Sequence, residues 1–246
     1  MMETYDAIVI GAGIGGLICG NFLARAGRRV LMLEHNHQPG GLMAGIWRKG
    51  FYFDAGDQSI ENAGIVFPLL KQLGLYRPQD WERARYRMIL NGVDHTITDF
   101  KGIADVIAQV FPADAAGVRG FFAELEKISR FLQAATHKGR FPYTASGLEQ
   151  AIGVARLILL TLTNLRLARE LGTGKIEHLA GRFIKDPEML RFVSGLGYKG
   201  MSTATGAGFW HMWINDYWYP RHGIQSLMDD LAENFRAHGG ELRFKT

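Results

Sequence analysis

The segment Tyr5-Asp6-Ala7-Ile8-Val9-Ile10-Gly11-Ala12-Gly13-Ile14-Gly15-Gly16-Leu17 joins a β-rich apolar run to a helical one through glycines spaced GxGxxG. A helical period continues from Ile14 to Ala26, and Arg29 to Leu33 is a second apolar run. Connections this tight predict two parallel strands with a right-handed helical crossover. Gly11 permits the tight turn, Gly13 lets a pyrophosphate approach the backbone, and Gly16 lets helix and strand pack closely. The backbone N–H groups around Ile14 and Gly15, at the positive helix end, face the phosphates. Glu34 stands 18 residues after Gly16, at the end of the second strand, where a carboxylate can accept both ribose hydroxyls. A bare GxGxxG also occurs in βαβ units that hold no ligand. Glu34 at this spacing shifts the reading to a dinucleotide site. Its charge would repel a 2′-phosphate, which disfavours NADP, but the fingerprint does not separate FAD from NAD.

Outward from this unit, Pro39-Gly40-Gly41 is a break, and Gly45 to Phe53 reads as a hairpin turning at Lys49-Gly50. A helical period runs from Asn62 to Leu73. Tyr86 to Leu90 and Val93 to Thr98 alternate around Asn91-Gly92, a dipeptide suited to a two-residue hairpin turn. The chain then becomes mainly helical, near 101–110, 114–135, 147–170 and 186–195. Asp216 to Tyr219 predicts a strand, Ile224 to Ala237 an amphipathic helix ended by Gly239-Gly240, and Glu241 to Lys245 a last strand.

Composition bounds the function classes. Of 246 residues, 47% are hydrophobic and 21% charged, which suits a well-buried globular chain. The formal charge of +4 comes from scattered residues rather than a basic block, so nucleic acid is not suggested as a partner. Cys19 is the single cysteine; it allows no internal disulfide, and no metal-ligand spacing accompanies it. The start, with Glu3 and Asp6 and a run broken by glycines, does not read as a secretory signal, and a cytoplasmic protein is expected. Leu157 to Leu165, flanked by Arg156 and Arg166, is too short to span a bilayer. Peripheral membrane contact is compatible with the longer stretch 147–170, in which these leucines are interrupted by Arg156, Arg166 and Arg169. A buried helix explains it with fewer assumptions, and burial is the expectation.

Residues 5–58, from the glycine loop through Pro39-Gly40-Gly41 to Phe53-Asp54-Ala55-Gly56-Asp57, resemble the FAD-binding start of the phytoene desaturase and carotenoid isomerase group within the FAD-dependent amine oxidase superfamily. A second, independent resemblance lies at Tyr219-Pro220-Arg221-His222-Gly223-Ile224-Gln225-Ser226-Leu227, which in that group leads from the substrate domain back to the nucleotide domain. The region between, including Phe111-Pro112 and Phe183-Ile184-Lys185-Asp186-Pro187, is similar more loosely. The chain departs from the group at Leu42, where arginine is usual, and at His222, where glycine is usual. Members are also longer, and their C-terminal part supplies further strands beside the flavin.

The resemblance implies FAD, held by Gly11, Gly13, Ile14, Gly15, Gly16, Glu34, His35, Gly40, Gly41, Leu42, Gly56 and Asp57. It implies an α/β architecture: a Rossmann-like FAD-binding domain with a parallel sheet (1–85 and 215–246) and a mainly helical substrate domain (86–214), without the C-terminal part of the usual fold. A sheet built from strands near 5, 30 and 242 would then be incomplete, so a second polypeptide is expected to complete it, with a truncated product or degenerate gene as the other explanation. The expected activity is oxidoreduction of desaturase, saturase or isomerase type on a hydrophobic, polyene or isoprenoid substrate. Amine oxidation on the same scaffold and a non-catalytic FAD-binding subunit stay open as alternatives. Trp213, Tyr217 and Trp218 belong to the densest aromatic segment and form either a substrate wall or ordinary core. No catalytic residue and no metal site is assigned; His211 and His222 have no partner carboxylate identifiable by spacing.

Overall fold

A computed structural model describes residues 4–56, 59–136, 146–195 and 198–246. In chain order the elements are β1 (Ala7–Ile10), α1 (Ile14–Arg25), β2 (Val30–Glu34), β3 (Gly45–Arg48), β4 (Phe51–Asp54), β5 (Ile60–Glu61), α2 (Val66–Leu73) and β6 (Trp81–Arg83). There follow β7 (Tyr86–Leu90), β8 (Val93–Ile97), α3 (Phe100–Val110), α4 (Ala115–Thr136), α5 (Gly147–Thr163), α6 (Leu165–Thr173), α7 (Ile176–Ala180) and α8 (Pro187–Gly195). The chain ends with α9 (Thr203–His211), a π-helical turn (Met212–Asp216), β9 (Tyr217–Pro220), α10 (Ile224–Ala237) and β10 (Glu241–Phe244). They fall into two compact units: Met1–Ala84 with Trp218–Thr246, and Arg85–Tyr217.

The first unit is organised by a parallel sheet of order β1-β2-β10, with Ala7 opposite Val30 and Phe244 opposite Glu34. Val30, Leu31 and Met32 are buried on consecutive positions, so β2 is covered on both faces, as the middle strand of a parallel sheet must be. β1 is an edge strand. Its outward residues Ile8 and Ile10 are 60% and 88% exposed. α1 packs on α10, and the buried Asn21 locks the pair: its side-chain N–H group donates to the carbonyls of Leu17 and Leu231, both at 2.8 Å. Leu17, Met32, Leu70, Leu73, Leu231 and Phe235 fill the core beneath. The β3–β4 hairpin turns at Lys49 and Gly50, both at positive φ (51° and 83°), the conformation its two-residue loop requires.

The second unit has its own core, in which Phe121, Phe122, Ile107, Leu125 and Trp210 are fully buried. The β7–β8 hairpin turns at Asn91 and Gly92, with φ of 46° and 82°. Asp99 caps α3 by accepting from the Gly102 N–H at 2.7 Å. The indole N–H of Trp210 donates to the Val193 carbonyl at 3.0 Å, so its burial leaves no donor unsatisfied.

Three sequence expectations need correction. The helical period beginning at Asn62 starts instead at Val66, because the Asn62 side chain accepts from the Phe67 N–H (2.9 Å) and its carbonyl closes a turn with Ile65. The single helix expected over 147–170 is two helices, α5 and α6, meeting at 98°. Asn164 and Thr163 cause the break: the Asn164 side-chain amide donates to the Leu160 carbonyl at 2.9 Å and the Thr163 hydroxyl to that of Leu159 at 2.9 Å. Short polar side chains thereby take acceptors the continuing helix would use. Nor is this helix buried, since no residue of α5 is. α7 and α9 escaped the periodicity reading; α9 is rich in Gly and Ala, and its Gly206 lies against Ile176, where a side chain would collide.

Candidate functional site: the glycine loop and its braces

The loop between β1 and α1 is built from backbone rather than side chains. The Gly11 N–H donates to the Leu33 carbonyl at 2.7 Å, and Gly11 takes φ +95°, a conformation costly for a residue with a side chain. A Cβ on Gly16 would fall onto the Gly11 carbonyl oxygen and within 3.3 Å of Val9, so glycine is what allows α1 to start this close to β1. Beside Gly13 and Gly15 the space is open: nothing lies within 4 Å of a Cβ on Gly15, and only the Gly40 oxygen, at 4.0 Å, near one on Gly13. α1 begins with no side-chain cap and no acidic residue in its first turn. Unsatisfied N–H groups and the positive helix end therefore meet an open space.

Glu34 is buried at the C-terminal end of β2. One carboxylate oxygen accepts from the Ala12 N–H at 2.7 Å; the other accepts from the N–H and side-chain amide of Asn36 at 2.8 and 2.9 Å. Burial alone would raise its pKa, but the backbone N–H groups of Asn36 and Ala12 outweigh it and hold the carboxyl below the ordinary range, aided by the Asn36 amide and the charge of His35. Of roughly four acceptor positions on a carboxylate, three are filled. The open one lies on the oxygen facing Ala12.

Ala12 is the residue that sequence reasoning missed. Its N–H holds Glu34, and its carbonyl accepts from the Gly40 N–H at 2.8 Å, which lays Pro39-Gly40-Gly41 alongside the glycine loop. Gly40 needs φ +123°, and a Cβ there would press within 2.9 Å of Ala44. Only the G-x-G spacing marked Ala12, and as a spacer.

A second brace ties the distant motifs together within the first unit. Asp54 accepts from the hydroxyls of Tyr52 and Tyr219, each at 2.8 Å. The Tyr52 hydroxyl in turn accepts from the Gln225 N–H at 3.0 Å, while the Gln225 side-chain oxygen accepts from the Gly45 N–H at 2.8 Å and its amide donates to the Pro39 carbonyl at 3.2 Å. Burial and the hydrogen bond to Asp54 push both tyrosine pKa values upward. Both oxygens of Asp54 thus accept from tyrosine hydroxyls, which gives it a structural role in this brace.

The structure brings Gly11, Gly13, Gly15, Gly16, Glu34, Gly40 and Gly41 to one locus. His35 is exposed and acts on Glu34 through its charge. The Leu42 side chain is 84% exposed, while its carbonyl receives Gly56, where a Cβ would approach to 2.6 Å. Asp57 lies outside the described residues. Of the aromatic trio, Trp213 and Tyr217 both pack on Tyr86, at 6.0 and 5.6 Å between rings, Trp213 also on Trp210 (5.7 Å), while Trp218 packs on Phe67 in the first core (5.3 Å). His222 is exposed, and the ring nitrogen Nδ1 of His211 shares a 2.7 Å hydrogen bond with the buried Ser129 hydroxyl.

Fold and loop together define a Rossmann-type protein, an architecture suited to a dinucleotide cofactor. Residues 9–73 match the family model of the NAD(P)-binding Rossmann-like domain. Prolycopene isomerase 1, chloroplastic, of an Oncidium hybrid cultivar is 30% identical over 200 residues, 78% of this chain and 32% of that protein. The inactive all-trans-retinol 13,14-reductase of Danio rerio is 26% identical over 250 residues, 98% of this chain and 41% of that one. Putrescine oxidase shares the fold with a TM-score of 0.54 at 17% identity, over 98% of this chain and 51% of that structure. The chain therefore spans well under half the length of these curated relatives. Over that span the chain is similar to carotenoid isomerases and retinol reductases, a likeness that supports the phytoene desaturase and carotenoid isomerase-like group.

Proposed function

We propose that this chain holds the ADP part of FAD and forms the N-terminal portion of a flavin-dependent oxidoreductase, of desaturase, saturase or isomerase type, acting on a hydrophobic polyene or isoprenoid substrate. The observation that carries the cofactor reading is the buried Glu34 carboxylate, tied to the glycine loop through the Ala12 N–H and keeping one acceptor position open. In this reading the open space beside Gly13 and Gly15 receives the pyrophosphate, and the uncapped first turn of α1 supplies its N–H donors. When bound, FAD supplies hydride transfer at the flavin ring. The chain's own part is to bind and orient: Glu34 fixes the ribose, and Ala12 and Gly40 hold two loops in register. The names of the relatives support the substrate class, since prolycopene and retinol are both long apolar polyenes.

We further propose that a second polypeptide pairs with the outer edge of β1 and covers the sheet face that carries Ile8 and Ile10; the outer place of β1 in the sheet and the exposure of these two side chains are the supporting observations. A non-catalytic FAD-binding role is the second reading, favoured by the relative named as inactive.

Purification of the tagged chain from its native host tests these readings. The expected product is yellow, yields FAD by mass, carries a stoichiometric second polypeptide and converts an added polyene. A colourless preparation that takes up no FAD would overturn the cofactor assignment. Peroxide formation from amines with polyenes untouched would move the activity to amine oxidation, and tightly bound but inert FAD would establish the second reading.

A further inference from the structure

α5 is the most exposed apolar element among the described residues. Leu148, Ile152, Leu157, Leu159 and Leu162, with Leu165 at the start of α6, are each between 48% and 72% exposed. A helix this apolar is normally buried, and contiguous exposure on this scale marks an interaction surface. The charge beside it identifies the partner. At the bend, α6 and the segment entering α7 enclose an open concavity of about 710 Å³ lined by Arg166, Arg169, Lys175, His178 and Arg182. Glu170, the one acidic residue in that lining, is taken by Arg182 at 2.7 Å. Arg166, Arg169 and Lys175 make no ion pair among the described residues.

We infer that α5 and the α5–α6 bend form a docking surface for an anionic lipid bilayer, with α5 in the interfacial plane and the basic concavity against the headgroups. Seventeen residues of helix measure about 25 Å, short of the roughly 30 Å hydrocarbon layer, and no helix among the described residues is long and apolar enough to cross it. Glu149 and Arg156 within α5 also suit an interface better than a span. The 98° bend carries the chain out of the apolar layer just where the cationic cluster begins. A protein partner for α5 would bury the leucines but would not by itself call for a cluster of cations at one end; an anionic surface calls for both.

The test mixes the full chain with sedimentable vesicles of phosphatidylcholine and phosphatidylglycerol in equal parts, and with vesicles of phosphatidylcholine alone. The wild type is expected to pellet with the anionic vesicles, to stay in solution with the neutral ones, and to be released as salt rises. Arg166→Gln with Arg169→Gln is expected to weaken partitioning about thirty-fold, and Leu159→Asp with Leu162→Asp to abolish it. These side chains are exposed, so both variants should keep the wild-type circular dichroism. No pelleting of the wild type, equal affinity for both vesicles, or indifference to both variants overturns the inference. So does a wild-type dimer that Leu159→Asp with Leu162→Asp converts to monomer, because a second copy would then be what covers α5.

Discussion

Glu34 serves the fold by tying the end of β2 to the glycine loop and, in the proposed reading, serves the cofactor as well. It was legible in the sequence because the spacing from Gly16 to a carboxylate at the end of a strand has a physical meaning. Its partners Ala12 and Asn36 were not legible, since backbone N–H groups leave no trace in residue type. The carboxyl is held below its ordinary value of 4.5, so its stabilisation is complete above that pH and is lost as pH falls through the lowered folded value. Glu34→Gln is therefore expected to flatten the acid limb of the urea-unfolding midpoint plotted against pH, and an unchanged limb would count against the bonding described. Gly16 is the complementary case of a residue defined by what it lacks. Gly16→Ala should destabilise by about 1–3 kcal/mol, through forced separation of α1 from the Gly11 carbonyl, measurable as a lower unfolding free energy; a neutral effect would mean the loop yields freely.

Among elements, the hairpins were readable because Lys49-Gly50 and Asn91-Gly92 announce their own backbone conformation. The α5–α6 break was not readable by hydrophobic period, because Asn164 and Thr163 end α5 by local hydrogen bonding while the leucine pattern runs on. The Tyr219–Asp54–Tyr52–Gln225 brace was equally hidden: its members are 165 residues apart in sequence at Asp54 and Tyr219, and nothing in their types signals that they meet. A hydroxyl donating to a carboxylate contributes about 1.5–3 kcal/mol, so Tyr219→Phe should lower the unfolding free energy by that order. Since the Tyr219 pKa is raised in the folded chain, its contribution falls away as pH rises above the ordinary value of 10.0. The variant should accordingly lose less stability than the wild type in alkaline solution, and parallel pH curves would refute the brace.

At the scale of the molecule, two separate cores answer two kinds of sequence: a glycine-punctuated strand-helix-strand unit rejoined by the last thirty residues, and the helical stretch between. The return of the chain to the first sheet was legible because the segment from Tyr219 to Leu227 resembles a known connector. That Trp213 packs against the second core and Trp218 against the first was not, since aromatic density says nothing about which core a ring enters. Because Phe122 belongs wholly to the second core, Phe122→Ala should cost about 3–5 kcal/mol of unfolding free energy there while leaving dinucleotide affinity unchanged; coupled loss would show that the units do not act separately. The central claim is that the glycine loop and Glu34 hold the ADP part of FAD. Its most direct test is calorimetric titration of FAD and of ADP into the wild type and Glu34→Ala. The expected result is saturable binding of both ligands to the wild type, weakened about tenfold or more in the variant by loss of a hydrogen bond to a charged acceptor. Equal affinity of the two proteins for FAD would contradict it.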